Sequence, residues 1–212
     1  MTVATPVHYA PLRSVDMAEA LSVVIAAMRD SPQHIAAFGP DPAIRQQKLQ
    51  QLFGLMSGNP ALLKYSIVAL RDGQIIGICG LLAPGECQIT TSQRLRMIPR
   101  ILRMGFTPAR RAMTWLGAWA KQDIAEPHWH VGPVAVDPAL QGQGFGSALM
   151  QEAMRIVDEH QGVAYLETDK AINVTFYERQ GFEVVAEEVV LDTPNWFMRR
   201  PVSATVAHQT AA

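Results

Sequence analysis

Between an apolar, β-branched run at Val131 to Val136 and a helical pattern starting near Gly144, the chain reads Gln141-Gly142-Gln143-Gly144-Phe145-Gly146-Ser147. A turn of this kind at a helix N-terminus presents several backbone N–H groups to one point, where the helix dipole also favours negative charge. Each glycine removes a Cβ that would hold a ligand off the backbone and permits positive φ where the amides converge. The chemistry this predicts is phosphate binding. A nucleotide P-loop would need Gly-Lys-Ser/Thr at its end, and Gly146-Ser147 contains no lysine. A dinucleotide fingerprint started at Gly142 would place its last glycine at Ser147, and no acid follows near Val163 to hold a ribose.

The elements that must position this loop are read from periodicity and punctuation. Pro11 to Val15 reads as a short strand, and Met17 to Met28 as a helix with Asp16 as its cap, stopped at Asp30-Ser31-Pro32. Pro42 to Met56 is a second helix behind the N-cap Asp41. Tyr65 to Leu70 and Gln74 to Leu82 are strands joined by Arg71-Asp72-Gly73, a tight-hairpin signal. After the loop come a helix from Gly144 to His160, a strand over Val163 to Thr168, a short helix over Ile172 to Gln180 closed by Gly181, and a strand over Phe182 to Leu191. The expected fold class is α/β: a mixed, mostly antiparallel sheet, splayed between residues 129–136 and 163–168, with helices on both faces.

Gln141, Gly144 and Gly146 match the pattern Gln/Arg-x-x-Gly-x-Gly/Ala. With the strand ending in Val136-Asp137-Pro138 before it and Asn173 to Phe182 after it, the stretch from Trp129 to Phe182 resembles the GNAT superfamily of acyl-CoA N-acyltransferases. Residues 11–82 fit that family's opening strand, helices and hairpin by order. The wording Trp129-His130, Tyr165 to Thr168 and Asn195 to Arg200 looks like the branch of puromycin-type small-molecule acetyltransferases. The resemblance implies acetyl-CoA as acyl donor and direct transfer of the acetyl group to an amine, without an acyl-enzyme. It further implies that the backbone of Val134, Ala135 and Val136 holds the pantetheine arm, that Gln141, Gly142, Gln143, Gly144, Phe145, Gly146 and Ser147 take the pyrophosphate, and that Asn173 contacts the cofactor.

By the same resemblance Tyr177 is the general acid, protonating the departing thiolate; the alternative is an aromatic packed under the cofactor. For the base, His130 stands on the strand where some members carry a glutamate, and a histidine titrates in a useful range. Its competing reading is a structural or substrate-binding histidine, and Glu167 and Glu126 are the other candidates. A small-molecule amine is the expected acceptor. A non-catalytic acyl-CoA sensor and a protein or peptide N-acetyltransferase are the alternatives.

Residues 93–121 carry Arg94, Arg96, Arg100, Arg103, Arg110, Arg111 and Lys121 and no acid. They read as a two-helix insertion at about 92–125, split near Gly105 to Pro108. Leu95, Ile98 and Leu102 make one face, and Arg96, Arg100 and Arg103 a solvated one. Met113, Trp115, Leu116 and Trp119 are either core or a wall over the acceptor site. A polyanion- or membrane-binding role for the arginine stripe is the remaining rival.

The balance of 18 basic against 19 acidic residues gives a formal charge of −1, which offers no global attraction to nucleic acid or anionic lipid. Two cysteines, Cys79 and Cys87, are too few for a disulfide framework, and His128 with His130 lacks a third spaced ligand, so no metal site is expected. No run of ~18 apolar residues or signal pattern appears. The reading is one cytoplasmic domain over residues 1–200, monomeric or homodimeric, with a flexible tail at 201–212.

Overall fold

The computed structural model describes residues 6–55, 59–87 and 91–203. Its strands are β1 (His8–Pro11), β2 (Ile67–Arg71), β3 (Gln74–Leu82), β4 (His128–Val136), β5 (Val163–Thr168), β6 (Glu183–Val190) and β7 (Thr193–Arg200). Its helices are α1 (Met17–Met28), α2 (Pro32–Phe38), α3 (Pro42–Phe53), α4 (Leu62–Tyr65), α5 (Thr91–Leu102), α6 (Phe106–Gln122), α7 (Phe145–Glu159) and α8 (Ala171–Glu178). Residues 204–212 of the predicted tail at 201–212 and the predicted end of the second helix at Met56 lie outside the described residues.

The strands form one sheet in the order β1-β2-β3-β4-β5-β7-β6, antiparallel except where β4 meets β5. Alternation along the strands feeds two cores. Val68, Ile75, Ile78 and Ala135 face a cluster shared with α1, α3, α5 and α6, while Ala69, Ile76, Cys79 and Val136 face one shared with α7 and α8. Helices therefore cover both faces, as expected. Asp72 and Gly73, at φ 54° and 77°, close the β2–β3 hairpin, and Asp41 caps α3 by accepting from the amides of Ala43 and Ile44 at 2.8 and 3.1 Å.

Several boundaries depart from expectation for identifiable reasons. The first strand ends at Pro11, because Arg13 and Asp16 pair through Nε and Oδ2 at 2.7 Å and draw Ser14–Asp16 into a 3₁₀ turn. That pairing takes the Asp16 carboxylate away from capping α1. Pro32 does not end helical structure; it opens α2 in the first turn, where a missing N–H costs nothing. In α5 the outward face is Leu95, Ile98 and Leu102, all exposed, while Met97 and Ile101 pack inward. The Arg94 and Arg96 side chains lie outside the described residues. Helix α6 is core: Trp115 is buried edge-on to His34 at 5.2 Å, and Trp119 Nε1 donates to Asn195 Oδ1 at 2.9 Å. Of Met113, Trp115, Leu116 and Trp119, only Met113 is exposed, and Phe106 at the helix start is exposed as well.

Candidate active site

Strand β4 positions the site by leaving its neighbour. It pairs with β5 only through His128↔Val163, Trp129↔Ala164 and His130↔Tyr165, and beyond His130 it has no partner strand on that side. Its other edge stays on β3, with Cys79↔Val134, Ile78↔Ala135 and Gly77↔Val136 in register. The register slips between Cys79 and Leu81, where Gly132 and Pro133, joined by a cis peptide, bulge against Gly80. A Cβ on Gly80 would lie 2.3 Å from the Gly132 carbonyl oxygen, so this close approach requires glycine. The result is an opening between β4 and β5, with main-chain groups of Val134 to Val136 along one wall.

The glycine loop lies at the end of that wall. Asp137 accepts from the Ala139 amide at 2.9 Å and turns the chain, and Gln141 Nε2 donates to the Val136 carbonyl at 3.0 Å, tying the loop back to the strand. Gly142 and Gly144 hold φ of 76° and 89°, with Gly144 as the left-handed N-cap of α7. The first main-chain bond into α7 runs from Ala148 N–H to the Gly144 carbonyl at 3.1 Å, so the amides before Ala148 are not consumed by the helix. Gln141 to Gly144 are exposed, and Phe145, Gly146 and Ser147 are half-buried. A cation unforeseen from the sequence stands here: Arg71, at the end of β2, lies over the Phe145 ring at 5.8 Å.

His130 and Glu167, separate candidates in the sequence, come together at the mouth of the opening, with His130 Nε2 3.4 Å from Glu167 Oε2. Burial pushes the Glu167 carboxyl above the usual carboxylate range, opposed by His130 and reinforced by Asp123. Glu126 does not join them. Its carboxylate is held by Arg199, which also lowers its pKa. Tyr177, on α8, is buried against Phe176 and Phe182. Burial raises its phenol well above 10, and the charges of Asp169 and Glu167 add to the shift, so it stays protonated. Asn173, one turn before it, donates from Nδ2 to Thr168 Oγ1 at 3.1 Å.

Beside this pair the structure gathers residues whose proximity the spacing concealed. Tyr165 sits under both histidines, its hydroxyl donating to the Gln122 carbonyl at 2.8 Å. His128 Nε2 faces not His130 but Asp123, directly after α6, and Cys87, at the end of the loop after β3. Cys79 and Cys87 are not joined by a disulfide, and no described helix is long and apolar enough to cross a membrane.

A half-buried His130–Glu167 pair and a protonated phenol flank an open strand edge that leads to a helix start whose first amides make no helical bonds. Such a site can orient an elongated phosphate-bearing ligand and move protons at its far end. Residues 31–182 match the model of the acetyltransferase (GNAT) family. Among solved structures, the histone acetyltransferase HPA2 and related acetyltransferase from Corynebacterium glutamicum superposes with a TM-score of 0.69 at 22% identity, covering 95% of this chain and 98% of that one. Arylalkylamine N-acetyltransferase 2 from Aedes aegypti gives 0.64 at 13% identity, over 93% and 99%. The PaiA N-acetyltransferase from Thermoplasma acidophilum, solved with coenzyme A, gives 0.58 at 12%, over 92% and 99%.

Proposed function

The chain belongs to the GNAT acetyltransferase family, and from that premise we propose that it transfers the acetyl group of acetyl-CoA directly to the amine of a small molecule, with the His130–Glu167 pair as base and Tyr177 as acid. The observation that carries this reading is the parting of β4 from β5 directly after His130, which opens a strand edge between the amides of the Gln141–Ser147 loop and the His130–Glu167 pair. Acetyl-CoA fits that path. Its pyrophosphate meets the free amides, with Asn173 alongside and Arg71 as an additional cation. Its pantetheine arm adds to the unpaired edge of Val134, Ala135 and Val136 as a strand would.

An acceptor amine with a pKa of about 10 arrives as ammonium and must lose a proton before its lone pair can attack. His130, oriented by Glu167, accepts that proton. The nitrogen then bonds to the thioester carbon and the carbonyl electrons move onto oxygen; collapse of the tetrahedral intermediate expels the CoA thiolate, which takes a proton from Tyr177, and the surplus proton on the new amide nitrogen returns to the Tyr177 phenolate. The buried Glu167 also favours a cationic acceptor of modest size, as arylalkylamines and polyamines are. The test is release of free CoA thiol over a panel of such amines and short peptides, with the acetylated product weighed by mass spectrometry. Turnover on small amines is the expected result. Turnover on peptides alone would correct the acceptor, and tight acetyl-CoA binding without turnover on any of them would make the chain a sensor.

A further inference from the structure

We propose that Cys87, Asp123 and His128 form a binding site for one divalent transition-metal ion of the zinc class, which clamps both ends of the α5–α6 insertion to the central sheet. The ligand atoms of the three side chains lie within 4.8 Å of one another. His128 Nε2 is 3.0 Å from Asp123 Oδ1 and 3.7 Å from Cys87 Sγ. Tetrahedral zinc, with about 2.0–2.1 Å to nitrogen and oxygen and about 2.3 Å to sulfur, requires separations of roughly 3.3 Å and roughly 3.5 Å for those two pairs. Both separations from His128 are thus within a few tenths of an ångström of those that an ion requires, and the Cys87 and Asp123 ligand atoms lie within 4.8 Å of each other.

The hydrogen bonding points the same way. His128 is buried at 4% exposure, and its Nδ1 lies 2.9 Å from the Glu126 carbonyl, which can only accept; Nδ1 therefore carries the hydrogen and the neutral ring turns its Nε2 lone pair to Asp123 and Cys87. A carbonyl that accepts from the far nitrogen is the usual means of fixing a metal-binding histidine. Asp123 Oδ1 is buried and, despite its 3.0 Å approach to Nε2, has no hydrogen-bond partner among the described residues. An oxygen and a nitrogen lone pair directed at each other call for a cation between them. Thiolate with imidazole selects a borderline metal over magnesium or calcium. Binding would release the Cys87 thiol proton, form bonds to Sγ, Nε2 and a carboxylate oxygen, and leave a fourth position for water, with no change of oxidation state. Cys87 precedes α5, Asp123 directly follows α6, and His128 opens β4, so the ion joins the start and finish of the insertion to the strand that carries His130.

The experiment is titration of the full chain, stripped by chelator, with cobalt(II) and then zinc(II). One equivalent of cobalt should give a thiolate charge-transfer band with tetrahedral visible bands, zinc should displace it, and thermal unfolding should shift upward with zinc. Cys87→Ser should abolish the charge-transfer band while Cys79→Ser retains it. Asp123→Asn and His128→Gln should each weaken zinc binding by more than the about 10–100-fold typical of losing an outer-shell partner. Far-ultraviolet circular dichroism confirms that each variant is folded. Absence of the band in the wild type, or a band that survives Cys87→Ser, would overturn the site, and the contact of His128 with Asp123 would then be an imidazolium–carboxylate pair.

Discussion

His130 Nε2 stands 3.4 Å from Glu167 Oε2, across the last point at which β4 and β5 are paired. In the proposed mechanism a carboxylate in this position holds the imidazole in place while it takes the acceptor amine's proton. Glu167→Gln keeps the shape and removes that charge. Its kcat/KM should fall by about 100-fold, measured by thiol release.

The same variant carries a stability signature. Burial raises the Glu167 pKa, with His130, His128 and Asp123 as the charged or titratable neighbours acting on it. The folded state therefore binds the Glu167 proton more tightly than the unfolded chain, and stability falls as pH rises from the unfolded carboxylate value through the folded one. Glu167→Gln should thus unfold at a higher temperature than the wild type at neutral pH, with the gap narrowing toward acid. A gap independent of pH would remove Glu167 as the cause.

Tyr177→Phe tests the acid without disturbing the packing on Phe176 and Phe182. We expect kcat to drop by about 10²- to 10³-fold with the acetyl-CoA dissociation constant unchanged. Equal loss of both would make the ring a binding surface only.

How much of this was legible in the sequence depends on whether the signal was local. Helix α1 and strand β5 begin and end where punctuation placed them, and Asp72-Gly73 announced the hairpin, because neighbouring residues determine each. Strand β7 was missed because its turn from β6 uses Leu191 and Asp192 at φ 52° and 60°, without the glycine that marks such turns. In α5, two apolar faces were available to a 3.6-residue period, and only tertiary packing chose Met97 and Ile101 over Leu95, Ile98 and Leu102. The glycine loop and Tyr177 lay in one continuous stretch and could be read. The approach of Glu167 to His130, and of Cys87 and Asp123 to His128, arises from pairing and packing between distant segments, which no spacing encodes.

One face of α6 is packed as core, and a buried amide makes this measurable. Asn195, 1% exposed, accepts from Trp119 and donates from Nδ2 to Gln33 Oε1 and the Thr193 carbonyl. Trp119→Phe leaves Asn195 Oδ1 without that donor and should cost about 1–3 kcal/mol in chemical denaturation. A lid residue would cost almost nothing there.

Gly80→Ala forces a methyl onto the Gly132 carbonyl and should destabilise the fold by about 1–3 kcal/mol while disturbing the β4 bulge. Gly146→Ala, whose added carbon would meet Val136 and Phe176 at 3.7 Å and beyond, should fold as the wild type.

The most direct test of the account is calorimetric titration of acetyl-CoA into the wild type and into Gly144→Glu, which puts a bulky negative side chain at the left-handed N-cap of α7. Micromolar binding to the wild type and none to the variant is the expected result, with both folded by circular dichroism. Equal binding to the two, or no binding to the wild type, would contradict the assignment of the Gln141–Ser147 amides to the cofactor's pyrophosphate.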